Sequence, residues 1–299
     1  MANATLRCQT YSTATPFLAK MRPLLEVNEA ANGLLLGLAL RVEGDPHAFG
    51  NADPYFATVE DDTDVIVAAL MTPPHGVILY GARPAADVSI PAALQAIVEN
   101  LQSNGWSVPT VNGPSAISEC FAQIWSTMMG LAFEPLMATR VFQLREVRHP
   151  YYSAGHLRLA TKADQALATQ WWRAFSQEAE HNDEVDEVQL HKSIRQKIAD
   201  RHLFFWEDGE PVSMVALTRP TAHGTGIGPV YTPPQYRGRG YASSAVAQLS
   251  QQVLDTGKEF CALFTDVANP TSNHIYQAIG YRRLVDFQVY RFISRKATV

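Results

Sequence analysis

Val230-Tyr-Thr-Pro-Pro-Gln-Tyr-Arg-Gly-Arg-Gly-Tyr-Ala242 joins a strand, a strand-breaking proline pair and a glycine-rich helix start. Upstream, Gly226 to Thr232 is β-branched and aromatic enough for a strand, and Pro233 and Pro234 withdraw two backbone donors and end its ladder. Downstream, Ala242, Ala245, Val246, Leu249 and Val253 recur at helical spacing. Gly238 and Gly240 fall where strand becomes helix, so backbone N–H groups can approach an anion with no Cβ in the way. Arg237 and Arg239 add positive charge. No Gly-Lys-Ser/Thr follows, which excludes a nucleotide P-loop, and the third glycine of a dinucleotide fingerprint is missing.

A second block runs from Cys261 to Tyr281. It reads as a buried strand over 260–266, then a helix opened by Asn269 as N-cap with Pro270 at its first position and closed by Gly280. Asn269, Asn273 and Tyr276 are four and three residues apart and share one helix face.

The order Gln235-x-x-Gly238-x-Gly240 after a strand and Pro-Pro break, with Asn269 to Tyr276 and Gly280-Tyr281 downstream, resembles the cofactor site of the GNAT (Gcn5-related) N-acetyltransferases. The resemblance covers essentially residues 156–294. It implies acetyl-CoA as cosubstrate, with the pyrophosphate on Gln235, Arg237, Gly238, Arg239, Gly240, Tyr241 and Ala242. It further implies that Asn269 contacts the pantetheine arm, with Asn273 beside it in the cofactor site, and that Tyr276 donates a proton to the departing thiolate. If the strand over 224–232 stops at Pro233 while its neighbour continues, the two splay. Backbone groups of Val230, Tyr231 and Thr232 then face a wedge where an extended ligand can pair like an added strand.

At 299 residues the chain is too long for one such domain and suits two of ordinary size. The irregular Arg148-His-Pro-Tyr-Tyr-Ser-Ala-Gly155 is the natural linker, so the expected domains are 1–150 and 151–299. The first half echoes the second. Asp64 to Pro73 lies over Pro211 to Pro220, and Val108 to Pro114, running into a helix over 115–129, mirrors Phe264 to Pro270. Where the second half has Gln235 to Gly240, the first has Ala82-Arg-Pro-Ala-Ala-Asp-Val88, without glycines. The expected fold class is therefore α/β (α+β): two tandem GNAT-like domains, each a mixed, mostly antiparallel sheet flanked by helices. The first has lost its cofactor loop, and the second carries the splayed strand pair.

A composition of 46% hydrophobic and 18% charged residues describes a folded protein. The aliphatic run Leu34 to Leu40 is broken by Gly37 and is far short of the ~20 residues that span a bilayer. No basic-then-apolar signal opens the chain, and Cys8, Cys120 and Cys261 are too scattered for disulfides or a Cys-x-x-Cys metal site. A cytoplasmic protein without metal or membrane partner is expected, as monomer or homodimer. A net charge of −5 argues against nucleic acid. The acidic cluster Glu178, Glu180, Asp183, Glu184, Asp186 and Glu187 is either a solvated surface or an attractor for a cationic substrate.

Acyl transfer to an amine needs a neutral nucleophile, and a lysine-like amine of pKa ~10.4 is neutral in only about one molecule in a few thousand at pH 7. For the base, His223 and Asp266 are candidates, and an ordered water chain is the alternative. Trp171, Trp172 and Phe175 lie in a helix over 164–180, the region that clasps the acceptor in GNAT proteins. The adjacent tryptophans point in different directions, so they either rim a substrate pocket or pack in the core. The expectation is an N-acetyltransferase acting on a small-molecule or peptide amine through a ternary complex. A longer acyl chain and a non-catalytic acyl-CoA sensor are the other readings.

Overall fold

The computed structural model describes residues 5–148, 153–179 and 186–295. The chain forms two compact units, Met1–Arg140 with Val285–Val299, and Val141–Leu284.

The first half runs β1 (Arg7–Tyr11), α1 (Ala14–Glu26), α2 (Glu29–Gly44), β2 (Tyr55–Glu60), β3 (Val65–Met71), β4 (Val77–Gly81), α3 (Ile90–Ser103), β5 (Thr110–Pro114), α4 (Ser115–Met129) and β6 (Leu131–Leu144). The second half repeats that order element for element. It comprises β7 (His156–Leu159), α5 (Gln165–Ala179), α6 (Glu187–Ala199), β8 (Leu203–Glu207), β9 (Pro211–Thr218), β10 (Gly224–Tyr231), α7 (Tyr241–Asp255), β11 (Phe260–Asp266), α8 (Pro270–Ile279) and β12 (Arg282–Ser294). The two echoes in the sequence are thus topological equivalents: Asp64 to Pro73 and Pro211 to Pro220 carry β3 and β9, and the other pair carries β5 and β11.

Strands follow the order β1-β2-β3-β4-β5 in one unit and β7-β8-β9-β10-β11 in the other. Pairing is antiparallel except for β4 with β5 and β10 with β11. The fold is mixed α/β with mostly antiparallel strands and eight α-helices among the described residues. Each unit buries both faces of its sheet, so β3 is buried at all seven positions and reads as an apolar run rather than an alternation. In the first unit α1 and α2 cover one face through Phe17, Leu25 and Leu36. The other face meets α3 and α4 through Leu94, Ile97 and Phe121. In the second unit α5 and α6 pack Trp171 and Ile194 on Phe205 and Met214, while α7 and α8 pack Ala245, Leu249 and Ile279 on Val215 and Leu263. Each fully buried large apolar side chain of this kind contributes about 1.5–3 kcal/mol.

The strands that close the sheets depart from the expected division at residue 150. The neighbour of β5 is β12, antiparallel from Phe287↔Pro114 to Arg291↔Thr110, and the neighbour of β11 is β6. The end of β6, residues 141–144, therefore belongs to the second unit and most of β12, residues 285–294, to the first, and the strand pair expected over 281–293 is one long strand. The expected linker falls between β6 and β7, with 149–152 outside the described residues.

Candidate active site

Strands β10 and β11 pair in parallel only at Gly224↔Phe260, Thr225↔Cys261 and Gly226↔Ala262, although β10 runs on to Tyr231 and β11 to Asp266. On its other side β10 shifts register against β9 between Ile227 and Val230, at Gly228 and Pro229. The extra residue is a bulge that bends the strand away from β11, and Pro229 offers no N–H at that point. Ile227 and Val230, three apart, consequently both face the α7/α8 core, whereas Tyr231 turns to Trp171, Phe205 and Met214 beneath α5. The expected wedge is present. Two of its expected backbone acceptors are engaged within the chain: the Tyr231 carbonyl accepts from Ser213 Oγ at 3.2 Å, and that of Thr232 from Arg237 Nε at 2.9 Å.

Gly238 and Gly240 have φ of +77° and +79°, a region only glycine enters without strain. A Cβ on Gly238 would meet nothing within 4 Å, and one on Gly240 only the Ser153 Cβ at 3.9 Å. The loop backbone is open at the start of α7, whose first-turn N–H groups and dipole favour an anion. Two tyrosines hold it from behind. Tyr236 Oη donates to Glu210 Oε1 at 2.7 Å and Tyr241 Oη to Asp208 Oδ2 at 2.6 Å, anchoring both ends of the loop on the β8–β9 turn. Gln235 and Arg239 are exposed, and Ala242 is half-buried in the first turn of α7. Arg237 turns back. Its guanidinium sits 5.9 Å over the Tyr231 ring and pairs with Glu178 Oε2 at 2.5 Å.

Asn269 caps α8 through Oδ1, which accepts from Ser272 N at 3.0 Å. Asn273 is buried, and its Nδ2 donates to the carbonyls of Asn269 at 2.7 Å and Asp266 at 3.0 Å, locking the turn that enters the helix. Its Oδ1 is a buried acceptor with no donor among the described residues. Tyr276 is half-buried, 6.4 Å from Phe142 and 5.9 Å edge-on to Tyr281. Burial pushes its phenol up to about 12, and among the described residues none hydrogen-bonds its hydroxyl. A glycine cradle at a helix start, a gap between strands and an orphaned acceptor fit a ligand with a phosphate and amide N–H groups.

The other expected residues stand apart from this constellation. His223 is exposed just before β10, at the paired end of the strand, opposite the loop; its carbonyl accepts from Glu259 N. Asp266 Oδ1 accepts from Ala268 N at 2.8 Å and shapes the β11–α8 turn. Trp171 is buried, edge-on to Phe205 at 5.4 Å and tilted 6.3 Å from Tyr231. Trp172 and Phe175 are half-buried against the same core, and the Lys197 ammonium lies 5.4 Å over the Trp172 ring. Of the acidic cluster, Glu180, Asp183 and Glu184 lie outside the described residues. Asp186 caps α6, and Glu187 pairs with Arg173 at 2.6 Å. Glu178, Asp208 and Glu210 were not singled out individually by sequence; their only signal was acidity beside aromatic and basic partners distant in the chain.

In the first unit the segment 82–89 before α3 contains no glycine, and β4 and β5 pair in parallel at Val77↔Val111 and Ile78↔Asn112. At the start of α3, Asp87 Oδ1 accepts from Ser89 N at 2.8 Å and Ser89 Oγ at 2.6 Å, and these bonds lower its pKa. The chain's own carboxylate thus serves the helix start. A Cβ on Gly113 would lie 3.0 Å from Leu79 Cβ, so β4 and β5 approach closely at that point.

Residues 165–281 match the model of the acetyltransferase (GNAT) family. The whole chain has the tandem GNAT fold. It superposes on a GCN5-related N-acetyltransferase from Sphaerobacter thermophilus with a TM-score of 0.61 at 15% identity, covering 96% of this chain and 95% of that one. It also superposes on a tandem GNAT protein of the clavulanic acid biosynthesis pathway with a TM-score of 0.58 at 11% identity, covering 99% and 100%. A GNAT-family acetyltransferase from Colwellia psychrerythraea gives 0.56 at 10%, covering 96% and 100%. No curated protein matches the sequence. The family supports an acyl-transfer function. Among the described residues no His, Cys, Asp and Glu cluster suits a metal ion, and no helix is long and apolar enough to cross a membrane.

Proposed function

We propose that the protein is an N-acetyltransferase that moves an acetyl group from acetyl-CoA to a primary amine of a small molecule or peptide, by direct attack in a ternary complex. The observation that carries the reading is the open Gly238–Gly240 cradle at the mouth of the β10/β11 gap, with Tyr276 following from the adjoining β11–α8 turn.

Acetyl-CoA would supply the activated acyl group and a thiolate leaving group. The N–H groups of the loop and of the first turn of α7, with Arg239, would receive the pyrophosphate. Asn273 Oδ1 is an acceptor for an amide N–H. Tyr276, with its phenol near 12, keeps its proton across the physiological range and holds it at Oη for the departing sulfur. Deprotonation of the acceptor amine is assigned to water, because Asp266 is committed to its turn and His223 lies at the paired end of β10. That same shortage of a protein base favours a second reading, an acyl-CoA sensor without catalysis.

Purified protein, incubated with acetyl-CoA and a panel of primary amines while free thiol is followed, separates the two. Amine-stimulated thiol release with one acetyl-CoA bound per chain is expected. Saturable binding with no stimulated release across the panel would establish the sensor.

A further inference from the structure

The Glu178 carboxylate occupies a position that neither the loop motif nor the acyl-transfer reading uses. It sits in the last turn of α5, and its two oxygens have different partners. Oε1 accepts from Tyr231 Oη at 2.8 Å, and Oε2 pairs with Arg237 at 2.5 Å. Tyr231 ends β10, the strand that borders the gap, and its buried ring is fixed by Trp171. Arg237 belongs to the glycine loop but reaches back over the Tyr231 ring and bonds the Thr232 carbonyl. The loop's arginine is thus held on the α5 side of the strand by an acidic residue.

The pair is half-exposed, with side-chain exposures of 49% for Arg237 and 44% for Glu178, so its strength is that of a surface ion pair. A pyrophosphate in the cradle carries more charge than one carboxylate and competes for the same guanidinium. Glu178 would then keep only the Tyr231 hydroxyl, leaving an uncompensated carboxylate beside the end of β10. An ammonium group is its natural partner.

Resting on the acetyl-CoA reading above, we propose that Glu178 restrains Arg237 until the anionic cosubstrate draws it into the loop, and that the freed carboxylate then recognises a cationic acceptor. One consequence follows for the substrate class: the preferred acceptors are amines that arrive charged.

The test is a double-mutant cycle read by calorimetric titration with acetyl-CoA. Glu178→Gln releases Arg237, so binding should tighten about threefold, within the range of an exposed ion pair. In an Arg237→Gln background the same change should do nothing. With the best amine of the panel, Glu178→Gln should raise the acceptor KM severalfold while kcat holds. A merely structural Glu178 would weaken binding in both backgrounds, and that result, or an unchanged affinity, would overturn the restraint. An unchanged acceptor KM would overturn the recognition role. Failure of the native protein to bind acetyl-CoA at all would instead remove the underlying reading.

Discussion

The Tyr276 ring packs 6.4 Å from Phe142, a residue that β6 brings into the second unit from before the linker. The proposed proton donor is therefore supported by a segment that a division at residue 150 would cut away. A fragment of residues 151–299 lacks Phe142 and Leu144, both buried in the core beneath α7 and α8, and leaves β11 without its neighbour. It should express as aggregate or melt without a cooperative transition, whereas Phe142→Ala in the full chain should cost about 3–5 kcal/mol by chemical denaturation. A soluble, cooperatively folding 151–299 fragment would count against the strand exchange.

Gly238→Val and Gly240→Val should both abolish acetyl-CoA binding, for a backbone reason. Each position needs φ near +78°, so a branched residue must reshape the loop even though space is open around both glycines. Because the loop is exposed, global stability should fall by only about 1–3 kcal/mol. Thermal melts run beside cosubstrate titrations check the split; normal affinity in either variant would mean that the cradle is not the phosphate site.

Tyr276→Phe should lower kcat by about 10²–10⁴-fold with near-normal acetyl-CoA affinity, since the ring contacts survive and only the proton is lost. The pH dependence is informative because burial raises the phenol to about 12. The hydroxyl stays protonated throughout the usable range, so the native profile should show no alkaline fall from this group. The variant should keep the shape of the native profile and lie below it at every pH. An unchanged kcat, with an acceptor for which chemistry limits the rate, would assign the acid to water.

Arg158 binds Asp164 through two hydrogen bonds of 2.9 Å, Thr161 N and Oγ1 also donate to that carboxylate, and the Asp164 pKa is lowered to about 2. A depressed folded pKa stabilises above the unfolded value near 3.9 and is lost as pH falls through the folded value. Asp164→Asn should cost about 2 kcal/mol at pH 7. The difference from the native protein should shrink between pH 4 and pH 2, as followed by urea midpoints. A pH-independent difference would point to packing rather than charge.

The elements around the cofactor loop were legible because their ends are marked by residues with fixed backbone consequences. Pro233-Pro234, Gly240, Asn269-Pro270 and Gly280 delimit β10, α7 and α8 to within a residue or so. The partners of β6 and β12 were not legible. A strand's alternation reports which faces are buried but not which edge it joins, and β5 and β11 offer similar edges. At the site, spacing placed Asn273 on the same face as Tyr276 but could not show that its amide is spent on the Asp266 and Asn269 carbonyls. Arg237 read as phosphate charge for the same reason. Its partner in the structure, Glu178, is distant in sequence and was hidden in an acidic run that looks like solvated surface.

The exchange of β6 and β12 also sets a timetable for synthesis. The first unit is translated early, yet its β5 edge has no neighbour until residues 285–294 have been made, after the whole of the second unit. For that interval the nascent chain carries an open strand edge, the feature that invites pairing with other chains. Maturation of the first unit thus waits on synthesis of the whole of the second.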